Sequence, residues 1–315
     1  VNKGGTSGGA IPAILLNSPG TPEAAASAMD GYPMAKRGEA TRAMKFALYS
    51  SVTGDTISDF LLIFLIVPFA AIALQFGPLE YTTVLLFAFA LLAGISGRSP
   101  IKGLIAIFLG VFLSTIGLDP VDSTSRMTFD NVNLFDGIPL TALAIGALAL
   151  ASIIEQMFDL NRDPAQGQRT TKLAMQANTQ LPLDEFLRHW KTIGRSALIG
   201  SGVGMLPGLG VTLAAFLSYG AARKASSKPD SFGNGNPEGI IATEAANSAV
   251  VGSNLIPTIA LGVPGNIAAA LLIGAFIIHG IVPGPFMLTM HGDVIYALFA
   301  SMIIPAPPSA SNFII

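Results

Sequence analysis

The chain has 315 residues, of which 51% are hydrophobic and only 11% are charged, and its formal net charge is −2. So few charged residues do not cover the surface of a water-soluble globule of this size, because soluble domains carry about 25% charged residues. The lack of a basic excess argues against nucleic-acid binding, and the lack of cysteine excludes disulfides, thiolate metal sites and cysteine nucleophiles within the chain.

Seven apolar segments follow one another along the chain. A helix needs about 20 apolar residues to cross the hydrocarbon core of a bilayer. The sequence therefore predicts an all-α polytopic membrane protein that contacts the lipid bilayer. The predicted spans are residues 57–76, 81–96, 103–117, 138–154, 196–219, 249–281 and 294–304. Four prolines interrupt them: Pro68 in the first span, Pro207 in the fifth, and Pro257 and Pro264 in the sixth.

Lysine and arginine are unevenly distributed among the connecting segments. They cluster in residues 36–45, 97–102 and 158–195, whereas aspartate dominates residues 118–137. Loops rich in lysine and arginine stay in the cytoplasm. We therefore expect the first three segments to be cytoplasmic and the fourth to be periplasmic.

The segment 196–219 has two possible paths. If it crosses the membrane fully, the basic residues Arg223, Lys224 and Lys228 lie on the periplasmic side, against the charge distribution. If it re-enters and returns, they lie on the cytoplasmic side. The sequence leaves both paths open.

One pattern occurs twice in the chain. The letters I-P-x-I, then P-G, then A-A stand at residues 11–25 and again at 256–270, and Pro12 and Pro257, like every matching pair, are 245 positions apart. A constant offset indicates a duplicated fold, with helices that are broken or re-entrant at the Pro-Gly motifs.

The repeat predicts three regions. Residues 1–157 form the first membrane half, 158–195 a cytoplasmic connector and 196–315 the second membrane half. The stretch 206–210 precedes the pattern only in the second copy, so we expect the first half to lack its beginning. The proline-rich tail at 305–308 does not complete a helix in lipid, so the second half is also expected to be incomplete.

The two Pro-Gly breaks predict the substrate site. Non-helical backbone at membrane depth is tolerated only where protein buries it or where it lines a watered cavity, and paired interrupted segments mark the site of many transporters. Free N–H groups at the start of the following half-helices, 21–34 and 266–279, suit an anion. The alternative is that both pairs only kink packed helices. The predicted substrate-binding residues are Asn17, Ser18, Pro19, Gly20, Thr21, Asn247, Asn254, Pro264, Gly265 and Asn266.

Three carboxylates lie in apolar surroundings, where acidic residues commonly serve as ion or proton sites. Glu244 is the predicted cation-coupling residue, with Thr243 and Ser248 completing an oxygen-rich shell for Na⁺ and Asp55 as the second choice. The alternative for Glu244 is that it only caps or pins a half-helix. For Asp59 the alternative is a helix-end residue at the membrane interface.

Glycine motifs elsewhere carry no catalytic prediction. Residues 5–9 match the nucleophile-elbow pattern without a preceding strand or His and Asp partners, and residues 233–235 lack the strand and spacing of a dinucleotide loop. Gly200, Gly204 and Gly208 recur every four residues, which predicts a helix face for close packing.

Several longer motifs follow one another along the chain. They lie at residues 4–7, 13–22, 29–38, 206–210, 216–219, 237–239, 244–247, 262–265, 279–280 and 283–285. In this order they resemble the large membrane subunit of the tripartite tricarboxylate transporters, the TctA family. The likeness runs from about residue 4 to residue 304.

The resemblance implies a secondary transporter subunit of the bacterial inner membrane, with Na⁺ or H⁺ as coupling ion, no cofactor and no enzymatic activity. It implies a small membrane subunit and a periplasmic substrate-binding protein as partners, and an organic di- or tricarboxylate as substrate. Three alternatives stay open. They are an anion channel or exchanger without cation coupling, an intramembrane enzyme in which Glu244 and His279 meet, and a structural membrane scaffold.

Overall fold

The computed structural model describes residues 2–95, 100–119, 124–138, 181–206 and 210–303. These residues form fourteen helices and one two-stranded antiparallel sheet, which confirms the all-α class. The elements are α1 (Asn2–Gly8), α2 (Ala10–Leu16), α3 (Ala24–Lys36), α4 (Ala40–Ala73), α5 (Pro78–Ile95), α6 (Pro100–Ser114), β1 (Gly117–Leu118), β2 (Ser125–Arg126), α7 (Leu183–Leu187), α8 (Trp190–Gly204), α9 (Gly210–Ala225), α10 (Pro237–Ser253), α11 (Leu255–Leu261), α12 (Ile267–Ile278), α13 (Met287–Met290) and α14 (Gly292–Ile303).

Helix α4 is the one described helix that is long and apolar enough to cross a membrane, with a mean hydropathy of 2.3 in its apolar window. It begins at Ala40, well before the predicted span at 57–76, and Pro68 does not break it. The prediction of a basic loop at 36–45 is therefore wrong in part, because Arg42 and Lys45 belong to the first turns of this helix. Shorter apolar helices cover Ile101–Ser114, Ala268–Ile278 and Gly292–Ile303.

The other predicted spans correspond to helices wherever the structure describes them. Helices α5 and α6 occupy the segments predicted at 81–96 and 103–117, and α14 occupies the segment at 294–304. Apart from residue 138, the span predicted at 138–154 lies outside the described residues. Helix α8 starts at Trp190, inside the segment expected to connect the two halves.

Helix α10 is the centre of the packing. All its residues from Gly239 to Ser253 are buried, and it packs against α1, α3, α4, α8 and α9. Small residues allow this close approach. A methyl group added at Gly54 of α4 would overlap the carbonyl of Ala245, and one added at Gly200 of α8 would overlap that of Ala246. The predicted packing face of Gly200 and Gly204 is thus confirmed, while Gly208 lies outside the described residues.

The neighbours of α10 run in defined directions. Helix α4 is parallel to it, because Ser51 bonds Glu244 and Asp59 lies beside Gly252 further along both helices. Helix α8 is also parallel to α10, since Gly200 faces Ala246 and Gly204 faces Val250.

Helix α9 returns in the opposite direction. Ala214 packs with Val203 and Val250 near the far end of α10, and Tyr219 lies against Gly239 near its start. Helices α8 and α9 therefore form a hairpin that enters and leaves at the same end of the bundle. This geometry brings Arg223 back to the end where α10 begins, and the path of 196–219 relative to a membrane stays a prediction.

Basic residues gather at this end. Arg42 forms an ion pair with Glu185, the ring of Phe46 lies 6.1 Å from that of His189, and Arg37 donates a 2.8 Å hydrogen bond to the carbonyl of Gly235. The start of α4, the segment around α7 and the start of α10 thus meet. Two segments predicted to share the cytoplasmic side are therefore neighbours in space.

Candidate functional site

Both Pro-Gly segments interrupt their helices with the same turn. Helix α2 ends at Asn17 in a left-handed conformation with φ of 53°, and α11 ends at Gly262 with φ of 70°. The capping N–H groups bond Pro12 and Pro257 respectively. The N–H of the next residue bonds the same carbonyl at 3.3 Å in both copies. The repeat in the sequence is therefore a repeat in local backbone geometry.

The likeness extends upstream of the breaks. Helix α1 ends at Gly8 and α10 ends at Ser253, again 245 positions apart, and one turn residue follows each before α2 and α11 begin. Neither element is a continuous helix, as predicted. The prediction of a break at Pro257 is wrong, because this residue lies in the first turn of α11, where the N–H that proline lacks has no helical partner.

The half-helices after the breaks begin later than expected. Helix α3 starts at Ala24 instead of residue 21, since residues 21–23 form turns, and α12 starts at Ile267 with Asn266 as its cap. The Asn266 side chain accepts a 2.9 Å hydrogen bond from the N–H of Ala269. Asn266 therefore fixes the start of the half-helix through its oxygen.

The two breaks differ in exposure. Asn17, Ser18, Pro19 and Gly20 are exposed, and Thr21 is half-buried with a hydroxyl that has no hydrogen-bond partner. At the second break Gly265 is buried, whereas Pro264 and Asn266 are half-buried. Among the described residues no hydrogen bond links one break to the other, so their sharing of one cavity stays a prediction.

Asn254 joins α10 to the second break. Its Oδ1 accepts hydrogen bonds from the N–H of Gly265 at 3.2 Å and from the hydroxyl of Thr258 at 3.4 Å. A methyl group at Gly265 would lie only 2.6 Å from the same oxygen. Glycine is therefore required at position 265, because a side chain there would keep the backbone from Asn254. The role of Asn254 shown by these contacts is to hold the second break against the end of α10.

Asn247 and Ser248 are buried without partners. Asn247 is 1% exposed and Ser248 3% exposed, yet neither amide atom of Asn247 nor the Ser248 hydroxyl bonds any described group. Buried polar groups are nearly always hydrogen-bonded, because an unpaired one costs about 1–3 kcal/mol. These two side chains are thus the described groups of the predicted site that most need a polar ligand.

Glu244 is fully buried and held by serines from two other helices. Ser27 of α3 donates to Oε1, and Ser51 of α4 donates to Oε2 at 3.1 Å. Ser27 also bonds the hydroxyl of Thr243 at 2.9 Å. Thr243 and Glu244 thus share the hydroxyl of Ser27, a residue that sequence reasoning missed, and their part in binding a cation stays a prediction. Both carboxylate oxygens accept hydrogen bonds from the two serines, and no described hydrogen bond joins Ser248 to them.

Asp55 and Asp59 share one lysine. The ammonium of Lys3 lies 2.8 Å from Oδ2 of Asp55 and 2.5 Å from Oδ2 of Asp59. The Asp59 side chain is 6% exposed and lies in the middle of α4. The interpretation of Asp59 as a helix-end residue at the interface is therefore wrong, since the helix extends for several turns on both sides.

Asp30 is a buried carboxylate with four donors. Its Oδ1 accepts the N–H groups of Gly233, Gly235 and Asn236 at 2.8–2.9 Å, and its Oδ2 accepts the hydroxyl of Tyr219 at 2.9 Å. Both glycines have positive φ, which turns their N–H groups toward one point. The glycine loop rejected above as a nucleotide site thus binds a side chain of this protein.

His279 takes no part in these clusters. It is exposed at the end of α12, whereas Glu244 is fully buried and receives its hydrogen bonds from two serines. The geometry therefore gives no support to the alternative of an intramembrane enzyme that uses this pair.

Comparisons with known proteins give matches over most of the chain. The model of the family described as the tripartite tricarboxylate transporter TctA family matches residues 1–307. A relative in Agrobacterium vitis, named as an uncharacterized 52.8 kDa protein in the TAR-I ttuC′ 3′ region, is 34% identical over 295 residues. An uncharacterized protein in the TAR-II ttuC′ 3′ region of the same organism is 42% identical over 103 residues.

Coverage of these relatives is partial. The first alignment takes in 94% of this chain but only 58% of the relative, and the second takes in 33% of this chain and 43% of the relative. The chain therefore spans a little over half the length of the first relative. No solved structure matches the chain.

Proposed function

Since the chain belongs to the tripartite tricarboxylate transporter TctA family, we propose that it acts in the large membrane subunit of a cation-gradient-driven importer of organic di- or tricarboxylates. The observation that carries this proposal is the pair of breaks with the same turn, each followed by the start of a further helix. Uptake proceeds by alternating access between the two repeat-related halves.

The substrate lies between the two breaks. Asn17, Ser18, Thr21 and Asn266 supply polar groups from the breaks themselves, and Asn247 supplies a buried amide that has no partner within the protein. A carboxylate loses strong hydration on entering such a site, so several converging donors must replace it, each charge-assisted bond contributing about 1.5–3 kcal/mol. Described lysine and arginine residues lie mainly at the basic end of the bundle, which leaves helix termini and a bound cation as the positive charges near the substrate.

The coupling ion is Na⁺ or H⁺, and Glu244 is the residue that binds it. A fully buried carboxylate is stable only when it is neutralised or well solvated by donors. Its donors Ser27 and Ser51 come from α3 and α4, so a change in its charge acts on both helices at once. Thr243 and Ser248 lie on α10 with Glu244, Asp55 lies on α4, and these three residues complete the proposed ion pathway.

The partners follow from the tripartite system to which the family belongs. We place the subunit in the bacterial inner membrane, beside a small membrane subunit, with a periplasmic binding protein that delivers the carboxylate. The basic end of the bundle, with Arg42 and Arg223, faces the cytoplasm in this arrangement.

The test is uptake of a labelled tricarboxylate by cells that express the complete transporter. Asn17→Ala and Asn266→Ala should each lower uptake about tenfold or more, because each removes a donor to the anion. Asn234→Ala is the matched control, since this exposed asparagine lies on the loop before α10 and should leave uptake unchanged. Wild-type uptake in both break variants would contradict the proposed site, and uptake that ignores every cation gradient would favour a channel or exchanger.

A further inference from the structure

Charges around Lys3 do not balance. One ammonium faces the two carboxylates of Asp55 and Asp59, which leaves a net charge of −1. Both ion pairs that the described residues form with these two carboxylates come from Lys3. An uncompensated charge of this kind is costly in a poorly hydrated place unless a cation joins it.

Both carboxylates also keep one oxygen without a donor. Lys3 occupies Oδ2 of Asp55 and Oδ2 of Asp59, whereas Oδ1 of each is buried and accepts no hydrogen bond from the protein. The two residues are four positions apart on α4 and therefore lie on one face of the helix. Two oxygens with unused lone pairs thus lie one helical turn apart.

A buried hydroxyl from the facing helix points to the same place. Ser51 of α4 bonds Glu244 of α10. A methyl group added at Gly252, two turns further along α10, would meet Asp59 of α4. In the parallel register between these two contacts, Ser248 lies opposite Asp55. Ser248 is 3% exposed, and its hydroxyl bonds no other described group. Since Ser248 is four residues from both Glu244 and Gly252, which meet α4, it lies on the face of α10 that packs against α4.

The residues around Asp55 and Asp59 come from matching positions of the two copies of the repeat. Lys3 and Ser248 are equivalent residues of the two copies, being 245 positions apart, and α1 packs against α10. Equivalent positions of the two copies thus meet at one pair of carboxylates. The site lies between the copies, where an ion can act on both.

We propose that Asp55 and Asp59, with the hydroxyl of Ser248, form a binding site for a monovalent metal cation such as Na⁺, and that Lys3 is a tethered cation that competes for the same carboxylates. Hard cations prefer oxygen ligands, and a single positive charge neutralises the net charge of −1, whereas a divalent ion would reverse it.

Competition with Lys3 would link the ion to the substrate site. Lys3 stands on α1, which leads through a single turn residue into α2 and the first break. An ion that displaces Lys3 from one carboxylate weakens the ion pairs between α4 and α1. The segment that follows α1 and carries Asn17 is then attached less firmly to α4. This link deepens the proposed function and rests on it, whereas the binding of the ion does not.

The ion is tested by the thermal stability of the purified full chain in detergent, with Na⁺ exchanged for choline at constant ionic strength and without substrate. Wild-type protein should be stabilised by Na⁺ with a saturable dependence. Asp55→Asn and Asp59→Asn should each lose this response, because the remaining aspartate is neutralised by Lys3. Asp184→Asn, which removes an exposed carboxylate at the basic end, should keep it.

Variants of Lys3 separate an ion site from a structural ion pair. Lys3→Gln leaves two unpaired carboxylates and should shift the Na⁺ midpoint about tenfold lower. Combining Lys3→Gln with Asp55→Asn restores a net charge of −1 and should restore the Na⁺ response even if Asp55→Asn alone does not fold.

Three results would overturn the proposal. They are a wild-type midpoint in both single Asn variants, a Lys3→Gln protein that no longer responds to Na⁺, and stabilisation by low pH in choline without any effect of Na⁺. If Na⁺ does not stabilise the wild-type protein while uptake depends on Asn17 and Asn266, the ion site alone is refuted. If Na⁺ stabilises the protein as expected while uptake does not depend on these two residues, the substrate site alone is refuted.

Discussion

Glu244 and Asp30 are buried acidic residues that differ in the groups that donate hydrogen bonds to them. Glu244 receives two serine hydroxyls, and Asp30 receives three backbone N–H groups and one tyrosine hydroxyl. Serine hydroxyls rotate and exchange donor for acceptor, whereas backbone N–H groups only donate. The surroundings of Glu244 thus adapt to a change of charge, whereas the backbone groups around Asp30 only donate hydrogen bonds.

Replacement of Glu244 tests its role in coupling. In Glu244→Gln, gradient-driven accumulation of tricarboxylate should collapse, because the residue no longer changes charge with the ion, while exchange of substrate down its own gradient partly survives. The measurement compares the two modes in proteoliposomes that contain the complete transporter. Glu238→Gln, on the same helix and at its partly exposed start, is the control and should accumulate normally. Accumulation by Glu244→Gln with unchanged Na⁺ and pH dependence would show that Glu244 is structural.

Replacement of Asp30 should affect stability before function. Asp30→Asn replaces the charge-assisted hydrogen bonds from three N–H groups by neutral ones and places its amide nitrogen against the Tyr219 hydroxyl, so we expect a loss of about 2–4 kcal/mol in the free energy of unfolding. Thermal unfolding of the purified protein measures it. The control is Asp230→Asn on the same glycine loop, whose carboxylate is exposed and should contribute almost nothing. Equal stability of the two variants would rule out the role given to Asp30.

At the scale of helices, close approach depends on small residues that face the central helix. Gly200 and Gly202 of α8 allow a matched comparison. A methyl group at Gly200 would overlap the backbone of α10, whereas one at Gly202 meets nothing within 4 Å. Gly200→Ala should therefore destabilise the protein by about 1–3 kcal/mol, while Gly202→Ala should be neutral or stabilising because alanine favours the helix.

Thermal unfolding of the two glycine variants checks this expectation with one measurement. Since both substitutions add the same methyl group to the same helix, a difference between them reports only the contact with α10. Similar unfolding temperatures would mean that α8 tolerates a wider separation than the structure shows.

Sequence reasoning succeeded for helices and failed for their partners, for a physical reason. Proline and glycine act within a few residues of their own position, so the two breaks were predictable from the letters alone. The contacts of Glu244 with Ser27 and Ser51 depend instead on the register of helices about two hundred residues apart in sequence. Lys3 was overlooked as a partner of Asp59 for the same reason. The start of α4 at Ala40 was missed because its first turns are not apolar enough to resemble a span.

For the whole molecule, the bundle predicts which loops share a side of the membrane. The α8–α9 hairpin returns to the end that contains Arg42, so the segment after α9 should face the cytoplasm, opposite the β1–β2 hairpin. Single cysteines introduced at Ser227 and Ser125, both exposed, should then react with an impermeant thiol reagent from opposite sides. The natural sequence contains no cysteine, so every signal belongs to the introduced residue. Labelling of both positions from one side would refute the re-entrant path.

The burial of α10 has a consequence for how the protein is made. Its packing partners α1, α3, α4, α8 and α9 all precede it in the chain, so each leaves the ribosome before the helix that covers it. Until residue 233 has been synthesised, Ser27, Asp30 and Ser51 have none of the partners on α10 and its preceding loop that they have in the finished protein. The helices synthesised first must therefore stay beside the translocon with these polar groups unpaired by α10. The bundle then packs in one late step, once α10 has been synthesised.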